Sequence, residues 1–369
     1  MEKITGMNQK TVSFHRIAYL FLIIVLGYLI LDRGKFILGP VTFSILFTIM
    51  LQPVSDFFER LVKHKIPAIL LTLLSVTIGF GIIVTLFSVQ FTTIINNLPD
   101  ITGKITQGLE EILDWLNENM NLNKSDLQGS IPQLADSSIN FLQKGISFST
   151  TFLFNLFMTL LFVFFMLWYK RNFHKFILIQ SSKSKREELN DILNKIQSTI
   201  QKYLYGLLIV IGILIVLNTV GLLIIGIDYA IFWGVLAAFL AVIPYIGTTL
   251  GGTLPFLYAL ATADNWWQPA AVVGMYVVIQ QIEGNIITPN VIGNSVSINP
   301  LVALFSIIVG GFVWGISGII LAIPAIAIVK IILEHNNRTK PVAFLLSNKV
   351  HKSNESFWKE MDEDKFRMQ

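Results

Sequence analysis

The residues Leu204–Ile227, LYGLLIVIGILIVLNTVGLLIIGI, decide the fold class of this chain. They include no charged side chain, and a helix of roughly 20 apolar residues is long enough to cross the ~30 Å hydrocarbon core of a bilayer. Similar apolar runs recur along the chain, so the sequence predicts an all-α, polytopic membrane protein with about eight transmembrane helices. The predicted crossings are Ile17–Leu31, Phe36–Leu51, Ile66–Val89, Ser149–Tyr169, Leu204–Ile227, Tyr229–Ala263, Pro269–Ile287 and Leu301–Leu333.

Some of these crossings are predicted to be irregular. A tight polar turn at Asp32–Lys35 separates the first from the second, which is short and broken at Gly39-Pro40. The sixth, Tyr229–Ala263, is too long for one simple helix, and the eighth, Leu301–Leu333, is also predicted to be discontinuous.

The composition agrees with a membrane protein. Of 369 residues, 53% are hydrophobic and 14% are charged, whereas soluble domains carry about 25% charged residues. This balance excludes a disordered chain, a disulfide scaffold and an ordinary cytosolic enzyme. The chain has no Cys, and its five His lie outside the most apolar runs, so we expect no metal site and no cofactor. The net charge of +4 indicates contact with anionic lipid rather than with nucleic acid, because the basic residues lie beside apolar runs.

Charge on the connecting segments predicts the orientation. Residues 170–202 carry eight Lys or Arg against three acids, and residues 91–147 carry three Lys against seven acids. The positive-inside rule therefore places the first segment in the cytoplasm and the second outside, with both termini cytoplasmic. The predicted divisions are transmembrane helices 1–3 (1–90), an external amphipathic helical segment (91–147), helix 4 with a cytoplasmic amphipathic helix (148–202), core transport helices 5–8 (203–335) and a cytoplasmic tail (336–369).

Glu283 is the strongest candidate for a functional group inside the membrane. Residues 203–333 contain only four Asp, Glu, Lys or Arg, and a carboxylate within a span usually faces a cavity, a partner or a pathway. Gln280 lies three residues earlier on the same helical face, and Gln281 and Asn285 are adjacent. These groups suit a polar solute or a proton site; the alternative is a carboxylate at the membrane interface, near the break at Thr288-Pro289.

Two further clusters predict broken or closely packed helices. Pro244 removes a backbone donor, so its helix should open at Pro244-Tyr245-Ile246-Gly247, and exposed backbone at membrane depth is tolerated where it lines a cavity or is buried in protein. Gly247 and Gly251 are spaced for close helix contact, as are Gly311 and Gly315, and Pro324 should bend the last span. A plain kink or a packing contact is the alternative interpretation of each cluster.

In order along the chain, these motifs resemble the autoinducer-2 exporter family of bacterial membrane transporters. The matching stretches are Pro244-Tyr245-Ile246-Gly247, Gln281-Ile282-Glu283-Gly284-Asn285 through Pro289, Val291-Ile292-Gly293, Asn299-Pro300-Leu301, and Gly310-Gly311 to Gly315 and Pro324. The resemblance implies an inner-membrane permease of about eight spans that forms homo-oligomers. Some members of this family look like exporters of autoinducer-2, and others resemble sodium or lithium/proton antiporters. It also implies site positions at Pro244, Tyr245, Gly247, Gln281, Glu283, Asn285 and Pro289.

The leading functional hypothesis is a secondary transporter or exporter of a small polar solute, with autoinducer-2 as the candidate solute and Glu283 as a proton-coupling group. A Na⁺ or Li⁺/proton antiporter is the second hypothesis. It ranks second because a single carboxylate supplies few of the oxygen ligands that a hard cation needs. A structural or envelope-interaction protein acting through residues 91–147 is the third. Because the sequence lacks a P-loop and hydrolytic signatures, we expect neither ATP-driven transport within this chain nor an enzyme.

Overall fold

The computed structural model describes residues 14–96, 150–243, 246–263, 265–293, 296–336 and 338–348. Within these ranges the chain is helical and contains no β-strand, apart from one isolated bridge between Ile298 and Ser347. A π-helical segment, Glu283–Ile287, joins two of the helices. The helices are α1 (Phe14–Val62), α2 (Lys65–Asn96), α3 (Thr150–Ile179), α4 (Arg186–Ile225), α5 (Ala230–Leu240), α6 (Ile246–Thr262), α7 (Trp267–Ile282), α8 (Thr288–Val291), α9 (Pro300–Trp314), α10 (Ile316–His335) and α11 (Lys340–Leu346).

The outer surface of this bundle is suited to lipid. Large apolar side chains such as Ile224 and Phe312 are more than three-quarters exposed, whereas soluble proteins rarely present large contiguous apolar surfaces. Five segments among the described residues are long and apolar enough to cross a membrane, and α5 and α9 are shorter apolar helices. The predicted all-α, polytopic membrane fold is confirmed. The five segments are Lys65–Ile94, Phe152–Ile179, Lys183–Ile225, Trp267–Val291 and Ile316–His335.

The predicted turn at Asp32–Lys35 is wrong, because α1 continues through it as one helix of 49 residues. The ammonium nitrogen of Lys35 lies 3.4 Å from a carboxylate oxygen of Asp32, so the two residues form an ion pair on the helix surface. Residues three apart in sequence are neighbours on a helix, so this pair is compatible with a continuous helix. A single Gly34 costs a helix only about 1 kcal/mol relative to Ala. At 1.5 Å per residue α1 is about 74 Å long. The first two predicted crossings thus belong to one continuous helix, and a cytoplasmic N-terminus stays a prediction.

The segments predicted as the sixth and eighth crossings are helical hairpins rather than single interrupted helices. In the first hairpin, Gly247 of α6 packs against Leu240 of α5, and a Cβ added at Gly251 would lie 3.1 Å from the Cα of Ala237. The contacts run in opposite directions along the two helices, so α5 and α6 are antiparallel. In the second, a Cβ added at Gly310 would lie 2.3 Å from the carbonyl oxygen of Gly318, across the turn between α9 and α10. With 11 residues, α5 is only about 16 Å long and cannot cross the bilayer alone.

A buried lysine joins α10 to the loop that precedes α9. The side chain of Lys330 donates to the carbonyl of Ser297 at 2.8 Å and lies 3.4 Å from the carboxylate of Glu334. Lys195 of α4 binds the same carboxylate at 2.9 Å. Lys330 therefore bonds within the protein and does not extend toward water. It is 7% exposed, and its charge is compensated inside the protein.

The Gly310–Gly318 contact gives a stability prediction. We expect Gly310→Ala and Gly318→Ala each to lower the free energy of unfolding by about 1–3 kcal/mol, because the new methyl group would overlap a backbone carbonyl. Thermal unfolding of the purified protein in detergent measures this change.

Gly274→Ala is the matched control, since a Cβ at Gly274 would meet nothing within 4 Å. We expect this variant to be about as stable as the wild type, or more stable by roughly 0.5–1 kcal/mol. Equal stability of all three variants would contradict the close backbone contact between α9 and α10.

Candidate functional site

A cavity of about 470 Å³ lies between α4, the α5–α6 hairpin, α7 with α8, and the start of α9. Its walls are mostly apolar, with polar side chains from α4, α6, α7 and α8. The described residues that line it include one carboxylate, Glu283, and no Lys, Arg or His. The polar lining residues are Tyr203, Asn218, Thr248, Tyr276, Gln280, Glu283 and Thr288.

The cavity extends along one face of each helix that borders it. On α7 the lining residues Tyr276, Ile279, Gln280 and Glu283 recur at three- and four-residue steps, which places them on a single face. On α4 the lining face runs from Tyr203 to Asn218, a length of roughly 22 Å.

Helix packing sets the depth of Glu283. A Cβ at Gly221 would meet the side chain of Met275, and a Cβ at Gly206 would meet Val291 and Ile292. Thus α4 and the α7–α8 segment are antiparallel. A residue of α4 and a residue of the α7–α8 segment lie at the same level in the bundle when their residue numbers add up to about 497. Glu283 is then level with Leu214, close to the middle of the apolar part of α4. This position is far from the polar start of α4, where the interfacial alternative would place the carboxylate.

The carboxylate of Glu283 is half-buried and accepts two hydrogen bonds. The side-chain amide of Gln280 donates to one oxygen at 3.0 Å, and the hydroxyl of Thr288 donates to the other. Glu283 begins the π-helical segment, a local widening of the helix that is frequent at functional sites. The backbone irregularity brings Thr288 within reach of a carboxylate five residues earlier.

The structure brings only part of the predicted site together. Gly251, Gln280 and Glu283 line the cavity. Gln281 and Asn285 instead bond to each other on an exposed face, with the amide of Asn285 donating to the Gln281 side chain at 3.0 Å.

Two of the remaining predicted positions, Gly247 and Pro289, fall outside the cavity lining. Gly247 packs against the carbonyl of Leu240 at the hairpin turn, and Pro289 is exposed on α8. Pro244 and Tyr245 lie outside the described residues.

The predicted packing residues of the second hairpin have different roles. Gly311 contacts the side chain of Ile319, whereas Gly315 has φ +61° and forms the turn itself. Positive φ is a conformation that glycine adopts at little cost. Pro324 is buried within α10, which continues through it. The closest backbone contact between α9 and α10 is the one between Gly310 and Gly318.

Sequence reasoning missed Asn218, Tyr276 and Thr288 as cavity residues. Asn218 is the single amide in the apolar run Leu204–Ile227, and that isolation was the available signal. The sequence gave no signal for Tyr276, because an aromatic residue in an apolar helix usually packs in the core.

A second cavity, of about 760 Å³, lies at the ends of α1, α3 and α4 and is lined largely by charged residues. Lys170 is paired there with Asp56, and Arg171 lies 3.7 Å from Glu59. These two ion pairs compensate part of the charge of an open, strongly polar surface. The α4–α7 cavity is therefore the better candidate for a site within the membrane.

Comparison with known proteins identifies the family of this chain. The sequence profile of the AI-2E family transporters matches residues 18–338. The chain belongs to the AI-2E transporter family. Family membership indicates a membrane transporter rather than an enzyme.

Among the described residues, no group of three or more His, Cys, Asp or Glu could hold a metal ion.

Relatives of this transporter occur in several bacteria. It is 28% identical over 350 residues to the candidate transport protein YueF of Bacillus subtilis (strain 168), covering 88% of this chain and 93% of YueF. It is 24% identical over 307 residues to the candidate transport protein YhhT of Escherichia coli (strain K12), covering 82% of this chain and 86% of YhhT. The AI-2 transport protein TqsA of Escherichia coli (strain K12) is 33% identical over 120 residues, which are 32% of this chain and 35% of TqsA.

The absence of native Cys allows a direct test of the cavity. Ala241 lines it, so we expect the thiol of Ala241→Cys to react with a small water-soluble methanethiosulfonate reagent at least about tenfold faster than a fully buried thiol. Labelling rates of the purified transporter in lipid vesicles measure the difference.

Ala259→Cys is the control, because Ala259 is 0% exposed and packs in the core between α5, α6 and α7. A thiol at position 241 that reacts as slowly as the buried thiol at position 259 would show that water does not reach the α4–α7 cavity.

Proposed function

We propose that this AI-2E family member is a secondary transporter of a small, neutral, polar solute, and that the α4–α7 cavity is its solute site. The observation that carries the proposal is a lone carboxylate, held by two neutral hydrogen-bond donors, in a mostly apolar cavity at mid-depth in the bundle. A carboxylate costs free energy at this depth and is usually retained for transport or proton transfer.

The lining favours an uncharged solute with hydroxyl or carbonyl groups. An anionic solute would meet Glu283 without any cation among the described lining residues, and the two negative charges would repel in a medium of low dielectric constant. The volume of about 470 Å³ lies within the usual 300–1,000 Å³ range of small-molecule sites. Autoinducer-2 is our candidate solute, supported by the family resemblance and by the name of TqsA.

Protonation of Glu283 would couple solute movement to a proton gradient. The protonated side chain carries no charge, so a dry environment penalises it much less than the carboxylate. The α5–α6 hairpin and the π-helical segment border the same cavity, and interrupted helices of this kind are typical of sites that open alternately to the two sides of the membrane.

We further propose that the basic segment 170–202 and the C-terminal tail face the cytoplasm of a bacterial inner membrane. The contact between Lys195 and Glu334 places the start of α4 beside the end of α10, so the two segments share one side. The basic composition of residues 170–202 then selects the cytoplasmic side. Homo-oligomer formation stays a prediction.

Two other functions have weaker support. Cation/proton antiport requires several oxygen ligands for Na⁺ or Li⁺, and both oxygens of Glu283 already accept hydrogen bonds from neutral groups. An envelope-interaction role for residues 91–147 concerns a segment of which only residues 91–96, the end of α2, are described.

The test of this proposal is autoinducer-2 uptake into vesicles that contain only this transporter, with and without a pH gradient. We expect gradient-stimulated uptake by the wild type and a loss of about tenfold in Glu283→Gln, since the amide cannot titrate and binds its donors more weakly. Glu188→Gln, on the polar first turn of α4, is the control and should behave as the wild type.

Two results would count against the proposal, and a third would concern only the role of residues 97–147. Full and equally pH-dependent uptake by Glu283→Gln would remove its proton-coupling role. Proton efflux stimulated by Na⁺ or Li⁺, without solute movement, would favour antiport. Unchanged transport with a lost binding partner after deletion of residues 97–147 would assign that segment to interaction.

A further inference from the structure

Two buried polar atoms of residues that line the cavity have no hydrogen-bond partner in the part of the chain that the structure describes. Asn218 is 3% exposed, and its side-chain oxygen forms no hydrogen bond within the described residues. The hydroxyl of Tyr276 is likewise buried without a described partner. Both residues line the α4–α7 cavity, Asn218 from α4 and Tyr276 from α7.

An unpartnered buried polar group destabilises the folded protein. Nearly all buried polar groups in proteins are paired, so each exception calls for an explanation. Leu217 and Leu222 show that apolar side chains fill neighbouring positions of α4, and an apolar residue at 218 would avoid the unpaired oxygen. The ring of Tyr276 packs against Gly252, and that contact requires the ring but not the hydroxyl. The amide and the hydroxyl are therefore not explained by packing.

The same antiparallel register that sets the depth of Glu283 locates these groups. Asn218 is level with Ile279 on α7, four residues and about 6 Å from the level of Glu283 along the helix axis. Tyr276 lies seven residues before Glu283, about 10 Å away and on the same face of α7. With Gln280 between them, Tyr276 and Glu283 form one polar strip along the cavity, and Asn218 contributes from the facing helix.

We propose that Asn218 and Tyr276 form a second polar subsite, which binds a hydroxyl or carbonyl group at the far end of a solute whose near end lies at Glu283. This assignment rests on the proposed transport function. The amide of Asn218 can donate and accept, and the phenol of Tyr276 can do both. The subsite therefore matches neutral oxygen groups and offers no charge to bind an ion.

The spacing also selects the size of the solute. The offset of about 6 Å along the helix axis between Glu283 and Asn218 sets the minimum length of a molecule that reaches both, and it is comparable to the length of a four- or five-carbon polyhydroxy compound. The apolar side chains of Val210, Ile211 and Leu214 border the same space and suit the carbon face of such a molecule. The solute class is thus an uncharged C4–C5 compound with oxygen groups at both ends.

Protection of a cavity thiol from labelling tests this subsite without requiring transport. In the Ala241→Cys protein in vesicles, we expect erythritol and D-ribose to slow the reaction with the methanethiosulfonate reagent. Adding Tyr276→Phe or Asn218→Leu should raise the concentration of either probe that gives half-protection by about five- to tenfold, the value of one lost neutral hydrogen bond. Both substitutions remove an unpaired polar group, so the melting temperature should stay the same or rise.

Two matched substitutions remove buried polar groups that do not line the cavity. Thr219→Val removes a hydroxyl of α4 that faces Gly234 and has no hydrogen-bond partner among the described residues. Tyr258→Phe removes a phenol from the core around Trp233. We expect neither to change the half-protecting concentration.

The outcomes separate the subsite from the transport function. Wild-type half-protecting concentrations in Asn218→Leu and Tyr276→Phe would overturn the subsite, as would equal losses in the two control variants or a fall in melting temperature. No protection by either probe would overturn the proposed solute class. Protection that depends on Asn218 and Tyr276, in a protein that moves no autoinducer-2, would support the subsite and contradict the proposed solute of transport.

Discussion

A backbone carbonyl or amide left unpaired in hydrocarbon costs several kcal/mol, because no water is available to replace the lost hydrogen bond. Long helices satisfy this requirement by themselves, and α2, α3 and α4 do so across their full length. Helix interruptions at membrane depth are tolerated only inside protein or beside a cavity. The turn after α5, the π-helical segment at Glu283 and the first turn of α9 all border the α4–α7 cavity. The site is thus where the fold can accommodate irregular backbone.

The fold class and the central charged residue could be predicted from the sequence, for physical reasons. A run such as Leu204–Ile227 has few stable alternatives to a membrane helix. A single carboxylate among apolar residues can be recognised in the sequence without knowing how the helices pack. The turn at Asp32–Lys35 was predicted wrongly because four polar residues are compatible with a loop and equally with a charged turn of a long helix. Local composition did not distinguish them, and α1 is continuous.

The second half of the site depends on tertiary packing that sequence patterns do not encode. The sequence predicts a break near Pro244, and the described helices α5 and α6 end at Leu240 and begin at Ile246. Whether the chain continues or reverses there depends on whether Gly251 can pack against Ala237. Asn218 lines the cavity because the face of α4 that carries it packs toward α7. The relative register of two helices cannot be read from the sequence of either helix alone. Gln281 and Asn285, one step around the helix from Gln280 and Glu283, face away and pair with each other.

The depth of Glu283 also has an electrical consequence. Moving one elementary charge through a membrane potential of 100 mV changes its free energy by about 2.3 kcal/mol. Any rearrangement that carries the ionised side chain from one face of the bilayer toward the other would do work against that voltage, whereas the same rearrangement with the protonated side chain would not. The membrane potential would therefore act on one protonation state of this carboxyl group and leave the other unaffected.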